Sequence, residues 1–186
     1  MRIVAGQFRG KTLTDVGQGD ARAHLRPTTD RVRENLFNVL LGGRYGNPIA
    51  GKRVLDVYAG TGALGLEALS RGATEVGFVE NGSVARGLLK KNIALLGVTS
   101  QVAVIDADAL LLPPSSTGGY DLIFMDPPYG KRMGGQALRR LIDGGWLNDA
   151  AVIVWEDRDQ KIAPVGFEKT DNRKYGDTHI TILKKR

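Results

Sequence analysis

The amino-acid sequence predicts an α/β fold in which helices cover both faces of a mostly parallel β-sheet. From residue 52 onward, short apolar segments of strand length alternate with segments of helix length. Directly after the first apolar segment, the chain carries the glycine pattern Gly60-x-Gly62-x-x-Gly65. Strands that alternate with helices form βαβ units, whose parallel strands are buried on both faces. A glycine-rich first turn between strand and helix agrees with such a sheet.

The individual elements follow from the apolar runs and from the glycines and prolines between them. Five strands are predicted at residues 53–58, 75–80, 102–106, 120–125 and 151–155, and three helices at residues 63–71, 83–96 and around 135–141. Two final runs, residues 166–170 and 179–183, are separated by residues 172–177 and predict an antiparallel hairpin at the end of the chain.

The first part of the chain lies outside this alternating pattern. Residues 2–14 predict two short strands around a glycine-containing turn, and residues 15–27 predict an irregular basic loop. A helix should follow, because apolar residues recur at helical spacing until Gly42. Its three N-cap candidates are Thr28, Thr29 and Asp30. We therefore predict a small N-terminal β-hairpin and helix in front of the main sheet.

Composition limits the classes of protein that the chain can belong to. It has 186 residues, of which 42% are hydrophobic and 25% charged, which is typical of one globular core. It has no Cys and two His, so we expect neither disulfides nor a metal site. The sequence shows neither a run of apolar residues long enough to span a membrane nor a signal peptide. We expect a cytoplasmic protein without a membrane partner.

Positive charge is concentrated near the N-terminus. The formal net charge of the whole chain is +6. Up to residue 33, basic side chains outnumber acidic ones: Arg2, Arg9, Lys11, Arg22, Arg26, Arg31 and Arg33 against Asp15, Asp20 and Asp30. A basic segment of this kind attracts polyanions and suggests nucleic acid as the partner. A solvated basic surface is the alternative interpretation.

The glycine loop predicts a binding site for a nucleoside cofactor. In an open parallel sheet, ligands bind beyond the carboxyl ends of the strands. Gly60 and Gly62 let the backbone approach a ligand, and Gly65 lets the following helix pack closely on the sheet. Glu80 ends the second strand about 20 residues later, where its carboxylate can accept hydrogen bonds from a ribose diol.

The glycine pattern alone does not choose among NAD, FAD and S-adenosylmethionine, because all three present an adenosine with a ribose diol. Asp56 favours S-adenosylmethionine, since a carboxylate at the strand end would repel a pyrophosphate but attract an ammonium group. An NAD-dependent oxidoreductase stays open as an alternative. Against it, no Tyr-x-x-x-Lys pair or catalytic His is placed to move a hydride or a proton.

The stretch after the predicted fourth strand is the most informative about chemistry. It reads Asp126-Pro127-Pro128-Tyr129, and the prolines end the strand because neither has a backbone N–H. A carboxylate, a carbonyl without its own donor and a flat ring suit an amino group attached to a flat base. Two acceptors that pull the amino hydrogens out of plane return the lone pair to the nitrogen, which can then attack an electrophilic methyl group. We predict that these four residues are catalytic, through positioning and electrostatics.

At these residues the chain resembles the class I S-adenosylmethionine-dependent methyltransferases that modify exocyclic amines through an (N/D)PP(Y/F) tetrad. More closely, it resembles the RsmD family of bacterial small-subunit ribosomal RNA guanine-N2 methyltransferases. The similarity runs nearly end to end, through MRIVAGQFRGKTL, residues 26–34, DVYAGTGALGLEALSRGA, FVEN, MDPPYGK and RKYGDTHITIL. The chain departs from the family at Tyr58, where Phe is common.

The resemblance implies a Rossmann-like class I methyltransferase fold with a seven-stranded, mostly parallel sheet, in which the last hairpin supplies one antiparallel strand. It implies methyl transfer from S-adenosylmethionine to a guanine N2 in 16S ribosomal RNA. The implied cofactor contacts are Asp56, Ala59, Gly60, Thr61, Gly62, Gly65, Glu80, Asn81, Asp108 and Ala109. The repeat Asp106-Ala107-Asp108-Ala109 leaves open which aspartate faces the adenine. The implied RNA contacts are Arg2, Arg9, Lys11, Arg26, Arg31 and Arg33.

The resemblance also implies an organisation and a partner. Residues 1–45 would form an extension that contacts RNA and covers the cofactor, and residues 46–186 the catalytic domain. The partner would be ribosomal RNA or the assembling small subunit, and we expect a monomer. Because the tetrad recognises an amino group rather than a ring, methylation of adenine N6 in RNA or DNA, or of a protein glutamine, stays open. A non-catalytic RNA-binding module is a further alternative.

Overall fold

The computed structural model describes residues 1–14, 29–128 and 133–186. The helices in these ranges are α1 (Asp30–Leu41), α2 (Ala63–Ser70), α3 (Ser83–Leu96) and α4 (Met133–Asp143), with a 3-10 turn at Thr99–Gln101. The strands are β1 (Arg53–Val57), β2 (Glu75–Val79), β3 (Val102–Ile105), β4 (Tyr120–Met125), β5 (Leu147–Asp157), β6 (Phe167–Tyr175) and β7 (Thr178–Lys185).

These strands form one seven-stranded sheet in the order β3-β2-β1-β4-β5-β7-β6. The first five in that order are parallel, and β7 lies antiparallel between β5 and β6. The predicted mostly parallel sheet with one antiparallel strand is therefore confirmed. Val57 at the end of β1 lies opposite Val79 of β2 and Met125 of β4. The segments that follow β1, β2 and β4 consequently meet at one edge of the sheet.

The predicted bounds agree best where an apolar run is complete. α3 and β4 have the predicted ends, and β1, β2, β3 and α2 end one residue earlier. β5 is longer than predicted at both ends. A register shift lets Leu147 pair with Tyr120 of β4 ahead of the apolar run, and Glu156 and Asp157 pair with β7 beyond it. β6 extends to Tyr175 and so includes most of the polar stretch 172–177 that was predicted to separate the two strands, whereas β7 begins at Thr178. An edge strand such as β6 can be polar because much of its surface faces solvent.

The predicted N-terminal hairpin is not confirmed as a pair of strands. Within residues 1–14, the two arms are joined by one isolated bridge, between Arg2 and Thr12, and by backbone hydrogen bonds such as that from the Ile3 amide to the Lys11 carbonyl at 2.9 Å, but they form no regular strand. The amides of Val4 and Ala5 donate instead to the carboxylate of Glu67 in α2, at 2.7 and 3.0 Å. The N-terminal turn, residues 1–14, is thus fastened to α2 by side-chain hydrogen bonds rather than continued as a ladder.

Helix α1 follows the prediction. Of the three N-cap candidates, Thr29 caps the helix, its side chain accepting a hydrogen bond from the Val32 amide at 3.4 Å, and Gly42 ends it. Leu36, Phe37 and Leu40 are buried against the sheet. The loop predicted for residues 15–27 and the candidate Thr28 lie outside the described residues.

Two apolar cores lie on the two faces of the sheet. One is covered by α1, α2, α3 and the N-terminal turn, which contributes Ile3 and Leu13. The other is covered by α4 and by the segment between β3 and β4. The N-terminal turn therefore shares a core with the sheet, and the division of the chain after residue 45 stays a prediction. Among the described residues, no helix is long and apolar enough to cross a membrane.

Candidate functional site

The loop between β1 and α2 has the tight backbone that its glycines predict. Gly60 and Gly62 have φ values of 57° and 82°, in the left-handed region that glycine adopts without strain. A Cβ atom at Gly65 would lie 2.4 Å from Cε1 of Phe78, so only a glycine lets α2 pack this closely on β2. The loop consequently lies close to the end of β1, and a ligand can approach the backbone of the loop there.

Glu80 ties the ends of β1 and β2 together. One carboxylate oxygen accepts a hydrogen bond from the Gly60 amide at 2.9 Å, and the other accepts one from the Gly82 amide at 2.7 Å. These bonds fix the side chain beside the glycine loop. A carboxylate oxygen can accept more than one hydrogen bond, so Glu80 keeps capacity for the hydroxyl groups of a ribose.

Asp56 lies beneath the loop, at the start of α2. Its carboxylate accepts a hydrogen bond from the Gly65 amide at 2.9 Å, and only 3% of the residue is exposed. Burial raises the pKa of Asp56 to about 8; the Gly65 amide opposes this rise and the charge of Glu80 adds to it. The amides at a helix start are the donors that bind an anionic ligand. Because a carboxylate already occupies one of them, this helix start is poorly suited to a pyrophosphate.

The structure separates the two aspartates that the sequence left open. Asp106 is exposed and forms an ion pair with Arg86 of α3 at 2.8 Å. Asp108 accepts a hydrogen bond from the Leu110 amide at 2.9 Å. Burial, with a smaller contribution from the charge of Asp108, raises the pKa of Tyr58 to about 12. Asp108 therefore lies near the glycine loop, and of the two aspartates it is the better candidate for an adenine contact.

The remaining predicted cofactor residues follow β1, β2 and β3 at the same edge of the sheet: Ala59, Thr61, Asn81 and Ala109. Ala59 and Ala109 are buried, whereas Asn81 is exposed. The structure thus brings the predicted set together around the glycine loop, and their contacts with a cofactor stay predictions.

The predicted catalytic tetrad begins directly after β4, next to β1. The Asp126 amide donates to the carbonyl of Val57, the last residue of β1, at 3.5 Å. Pro127 is buried and Pro128 is partly exposed. The corner is therefore held against the end of the sheet, beside the glycine loop. Tyr129 lies outside the described residues, and its role in stacking a base stays a prediction.

Negative charge surrounds this corner. Burial raises the pKa of Asp126 well above its usual range, and the charges of Glu156, Asp56 and Asp157 raise it further. Asp157 is itself paired with Lys161 at 2.9 Å. Since Asp126 and Asp56 follow neighbouring strands and interact electrostatically, the corner and the base of the glycine loop belong to one site. Such a site favours a positively charged ligand.

Most of the predicted RNA contacts that the structure describes are at the surface. Four of them are exposed: Arg2, Arg9, Lys11 and Arg31. Arg2 also forms an ion pair with Asp30 at 3.1 Å. Arg26 lies outside the described residues. These side chains are placed to meet a polyanion, and RNA binding by them stays a prediction.

The prediction for Arg33 is wrong. Its side chain is fully buried, donates to the Arg2 carbonyl and to the Asp30 carboxylate at 2.9 Å, and lies 3.8 Å from the carboxylate of Glu67. A guanidinium enclosed in this way cannot reach a phosphate. The signal was present in the sequence, because positions 33, 36, 37 and 40 share one face of a helix and the other three are apolar.

Glu67 and Asn92 are among the buried polar residues that the sequence patterns did not single out. Glu67 is an isolated acid in the apolar stretch ALGLEALS, and the structure buries it between the N-terminal turn and Arg71, which it meets at 2.7 Å. The charge within an apolar run was a usable signal. Asn92, in α3, is buried as well and bonds to both the N-terminal turn and the glycine loop. Its burial had a usable signal too, because position 92 shares one helix face with Leu89, Ile93 and Leu96.

Comparison with known proteins finds close relatives. The family described as Conserved hypothetical protein 95 matches residues 1–184. The chain is 38% identical over 164 residues to ribosomal RNA small subunit methyltransferase D of Haemophilus influenzae, covering 87% of this chain and 80% of that protein. It is 37% identical over 156 residues to the protein of that name from Escherichia coli strain K12, covering 84% and 74%.

Solved structures show the same architecture. The structure of yhhF from Escherichia coli matches with a TM-score of 0.82 at 31% identity, covering 100% of this chain and 98% of that chain. A Haemophilus influenzae structure matches with a TM-score of 0.78 at 32% identity, covering 99% and 97%. The fold is therefore the Rossmann-like class I methyltransferase fold that the resemblance implied.

Proposed function

We propose, because this chain belongs to the family described as Conserved hypothetical protein 95, that it transfers a methyl group from S-adenosylmethionine to the exocyclic N2 of a guanine in small-subunit (16S) ribosomal RNA. The relatives named ribosomal RNA small subunit methyltransferase D support the choice of substrate. The observation that carries the proposal is the corner after β4, where the Asp126 amide meets Val57 at 3.5 Å beside the glycine loop.

The residues around the loop fit S-adenosylmethionine better than a dinucleotide. When bound, this cofactor supplies an electrophilic methyl group on a positively charged sulfur. Glu80 would accept hydrogen bonds from the ribose hydroxyls, and Asp108 would accept one from the adenine amino group. Asp56 occupies the Gly65 amide that a pyrophosphate would need, at 2.9 Å. A cation in the same place would favour the charged form of Asp56.

The tetrad would act on the amino group of the target base. The Asp126 carboxylate and the Pro127 carbonyl supply one acceptor for each amino hydrogen, which frees the lone pair of the nitrogen. Asp126 would then accept or relay the proton that the nitrogen loses. A cation beside Asp126 favours its charged form, so it opposes the rise in pKa that burial causes. Tyr129 would stack on the base after it leaves its own stack.

The exposed basic residues of the N-terminal part would hold the phosphate backbone. We assign this role to Arg2, Arg9, Lys11, Arg26 and Arg31. Residues 1–45 would contact RNA and cover the cofactor, and residues 46–186 would carry out catalysis. The enzyme would act in the cytoplasm, as a monomer, on ribosomal RNA or the assembling small subunit.

Methylation of undermethylated small ribosomal subunits with tritiated S-adenosylmethionine tests this proposal. The protein should label the RNA, and nuclease digestion with mass spectrometry should find the methyl group on guanine N2. Label on adenine N6 would instead support an N6-adenine methyltransferase, which the same tetrad permits. Absence of label in the RNA, under conditions where the cofactor is bound, would overturn the proposal.

Two variants make the assay specific to the site. Asp126→Ala removes a proposed acceptor and should abolish most labelling. Asp159→Ala removes an exposed carboxylate shortly after β5 and should leave labelling unchanged. Calorimetric titration of the same preparations with S-adenosylmethionine and with NAD tests the oxidoreductase alternative, which requires NAD to bind.

A further inference from the structure

Asn92 lies in the middle of α3 and has no exposed surface. Its side-chain oxygen accepts a hydrogen bond from the Thr14 amide at 2.7 Å. Its side-chain nitrogen donates to the Thr14 carbonyl at 2.9 Å and to the Thr61 carbonyl at 3.0 Å. One buried amide therefore joins α3, the end of the N-terminal turn and the glycine loop.

This arrangement depends on the chemistry of an amide. Asn offers one acceptor and two donors, and here both donors and the acceptor have partners. Asp of the same size would place an oxygen against two carbonyl oxygens, and Ala would leave three backbone groups without their partner. The side chain is thus specified by bonds to two separate segments, rather than by the packing of α3.

The bond to Thr61 fixes one peptide of the glycine loop. The Thr61 carbonyl accepts from Asn92, while the next amide, that of Gly62, donates to the Ala59 carbonyl at 2.8 Å. A Cβ at Gly62 would lie 2.4 Å from Cδ1 of Leu89, which precedes Asn92 by one turn of α3. The loop consequently rests on α3, and a shift of this peptide would strain or break its bond to Asn92.

The bonds to Thr14 fix the other segment. Thr14 ends the N-terminal turn and comes soon after Arg9 and Lys11, both of which are exposed. Because Asn92 holds both the amide and the carbonyl of Thr14, the direction of the backbone at this point follows the position of Asn92. The proposed RNA contacts and the proposed cofactor loop are therefore joined through one side chain.

We infer that Asn92 is a positioning residue that couples the glycine loop to the N-terminal turn, so that cofactor in the loop orders the backbone at Thr14 and with it the RNA-contacting Arg9 and Lys11. The inference rests on the proposed function, since it takes the glycine loop as the cofactor site. Coupling between two binding sites is reciprocal, so RNA on the N-terminal turn strengthens cofactor binding by the same factor.

Hydrogen exchange of the full chain, with and without S-adenosylhomocysteine, tests this coupling. In the wild type, saturating ligand should slow exchange at Thr14 and at the glycine loop, at Thr14 by at least about fivefold. In Asn92→Ala the ligand should still protect the glycine loop, whereas its effect at Thr14 should fall below about twofold. Asn92→Asp should lose the same coupling while keeping the side chain's size.

Ser70→Ala is the matched control. The Ser70 hydroxyl accepts from the Phe8 amide at 2.9 Å and donates to the Ala5 carbonyl at 2.6 Å, so it fastens the same N-terminal turn to α2. Its loss should speed exchange in the turn but preserve the ligand-dependent slowing at Thr14. Loss of that slowing in Ser70→Ala as well would mean that any loosening of the turn suffices, which would overturn the role of Asn92.

RNA binding gives a second readout. S-adenosylhomocysteine should raise the affinity of the wild type for small-subunit ribosomal RNA by at least about fivefold and leave that of Asn92→Ala nearly unchanged. A wild-type chain whose glycine loop is protected by ligand while Thr14 does not respond would overturn the inference and leave the proposed function intact. A chain that fails to bind S-adenosylhomocysteine would overturn both.

Discussion

Two buried acidic side chains, one beneath the start of α2 and one within it, have contrasting surroundings. The carboxylate of Glu67 accepts hydrogen bonds from two backbone amides at 2.7 and 3.0 Å, and it forms ion pairs with Arg71 at 2.7 Å and with Arg33 at 3.8 Å. Asp56 accepts from the Gly65 amide at 2.9 Å and faces the charges of Glu80 and, across the sheet edge, Asp126. Cations therefore balance the acid that holds the N-terminal turn in place, whereas the acid at the glycine loop lies among like charges.

This difference separates a structural cluster from a binding site. Buried charges that serve only the fold are paired, because an unpaired one is costly. Like charges gathered in a cleft raise each other's pKa and mark candidate functional sites. A ligand with an ammonium and a sulfonium would supply at the glycine loop the positive charge that Arg33 and Arg71 supply behind α2.

The largest expected effect is the loss of stability in Glu67→Ala. The variant leaves Arg33 and Arg71 without their shared carboxylate, and the amides of Val4 and Ala5 without an acceptor. Removing one partner of a buried ion pair lowers the free energy of unfolding by about 3–5 kcal/mol. Urea denaturation measures this loss, and Glu67→Gln, which keeps an acceptor oxygen, should lose less. A stability equal to that of the wild type would contradict the structural role.

At the corner after β4, the substitution of an acidic residue should lower turnover rather than stability. Asp126→Ala should lower single-turnover methyl transfer by about 10²–10⁴-fold, while calorimetry shows little change in cofactor affinity. Burial and neighbouring carboxylates raise the pKa of Asp126, so its acceptor form appears as the pH rises. The wild-type rate should therefore increase with pH through that pKa, and the increase should be missing in the variant. A parallel loss of cofactor affinity would show that Asp126 acts in binding instead.

The order of the elements could be predicted because each strand of the sheet centre is an apolar run closed by a turn residue. β6 could not be predicted to full length, since residues 172–175 are polar and pair only because β7 offers them a partner. The N-terminal turn was predicted as a hairpin because its own residues resemble strands. Two of its amides, those of Val4 and Ala5, donate to Glu67, a partner more than 60 residues away in the sequence, which local patterns cannot reveal.

The site was predictable to the extent that its residues follow the strand ends, as Asp56, Glu80 and Asp126 do. The sequence could not distinguish Asp106 from Asp108, because each is the first residue of a copy of the same Asp-Ala dipeptide. The ion pair of Asp106 with Arg86, 2.8 Å in length, depends on where α3 lies beside β3. The burial of Asn92 could be predicted from its place on the apolar face of α3, but its partners could not, because they come from two distant segments.

A different effect, on the pH dependence of stability, is expected for Asp56→Asn. Folding raises the pKa of Asp56 from 3.8 to about 8, so the protonated form favours the folded state. This stabilising contribution is complete below pH 3.8 and is lost as the pH rises towards 8. Asn keeps an oxygen for the Gly65 amide but cannot ionise.

Urea denaturation of both proteins at several pH values measures the contribution of Asp56. Between pH 3.8 and about 8, the unfolding free energy of the wild type should fall relative to Asp56→Asn. The slope should be at most about 1.4 kcal/mol per pH unit. If the difference in unfolding free energy between the two proteins does not change with pH, the charge of Asp56 must be balanced by positive charge, as that of Glu67 is. The contrast between the two acidic residues would then disappear.

The smallest effect is expected for Arg9→Ala, which tests the exposed basic side chains against the buried ones. Arg9 is exposed, so its loss should change the free energy of unfolding by less than about 0.5 kcal/mol. It should weaken RNA binding severalfold at low salt and reduce the slope of log affinity against log salt by about 1, because one phosphate contact is lost. Lys90→Ala, on the exposed face of α3, is the control. If both variants have the same salt slope as the wild type, RNA does not bind through Arg9, whereas a reduced slope in Arg9→Ala alone locates the RNA on the N-terminal turn.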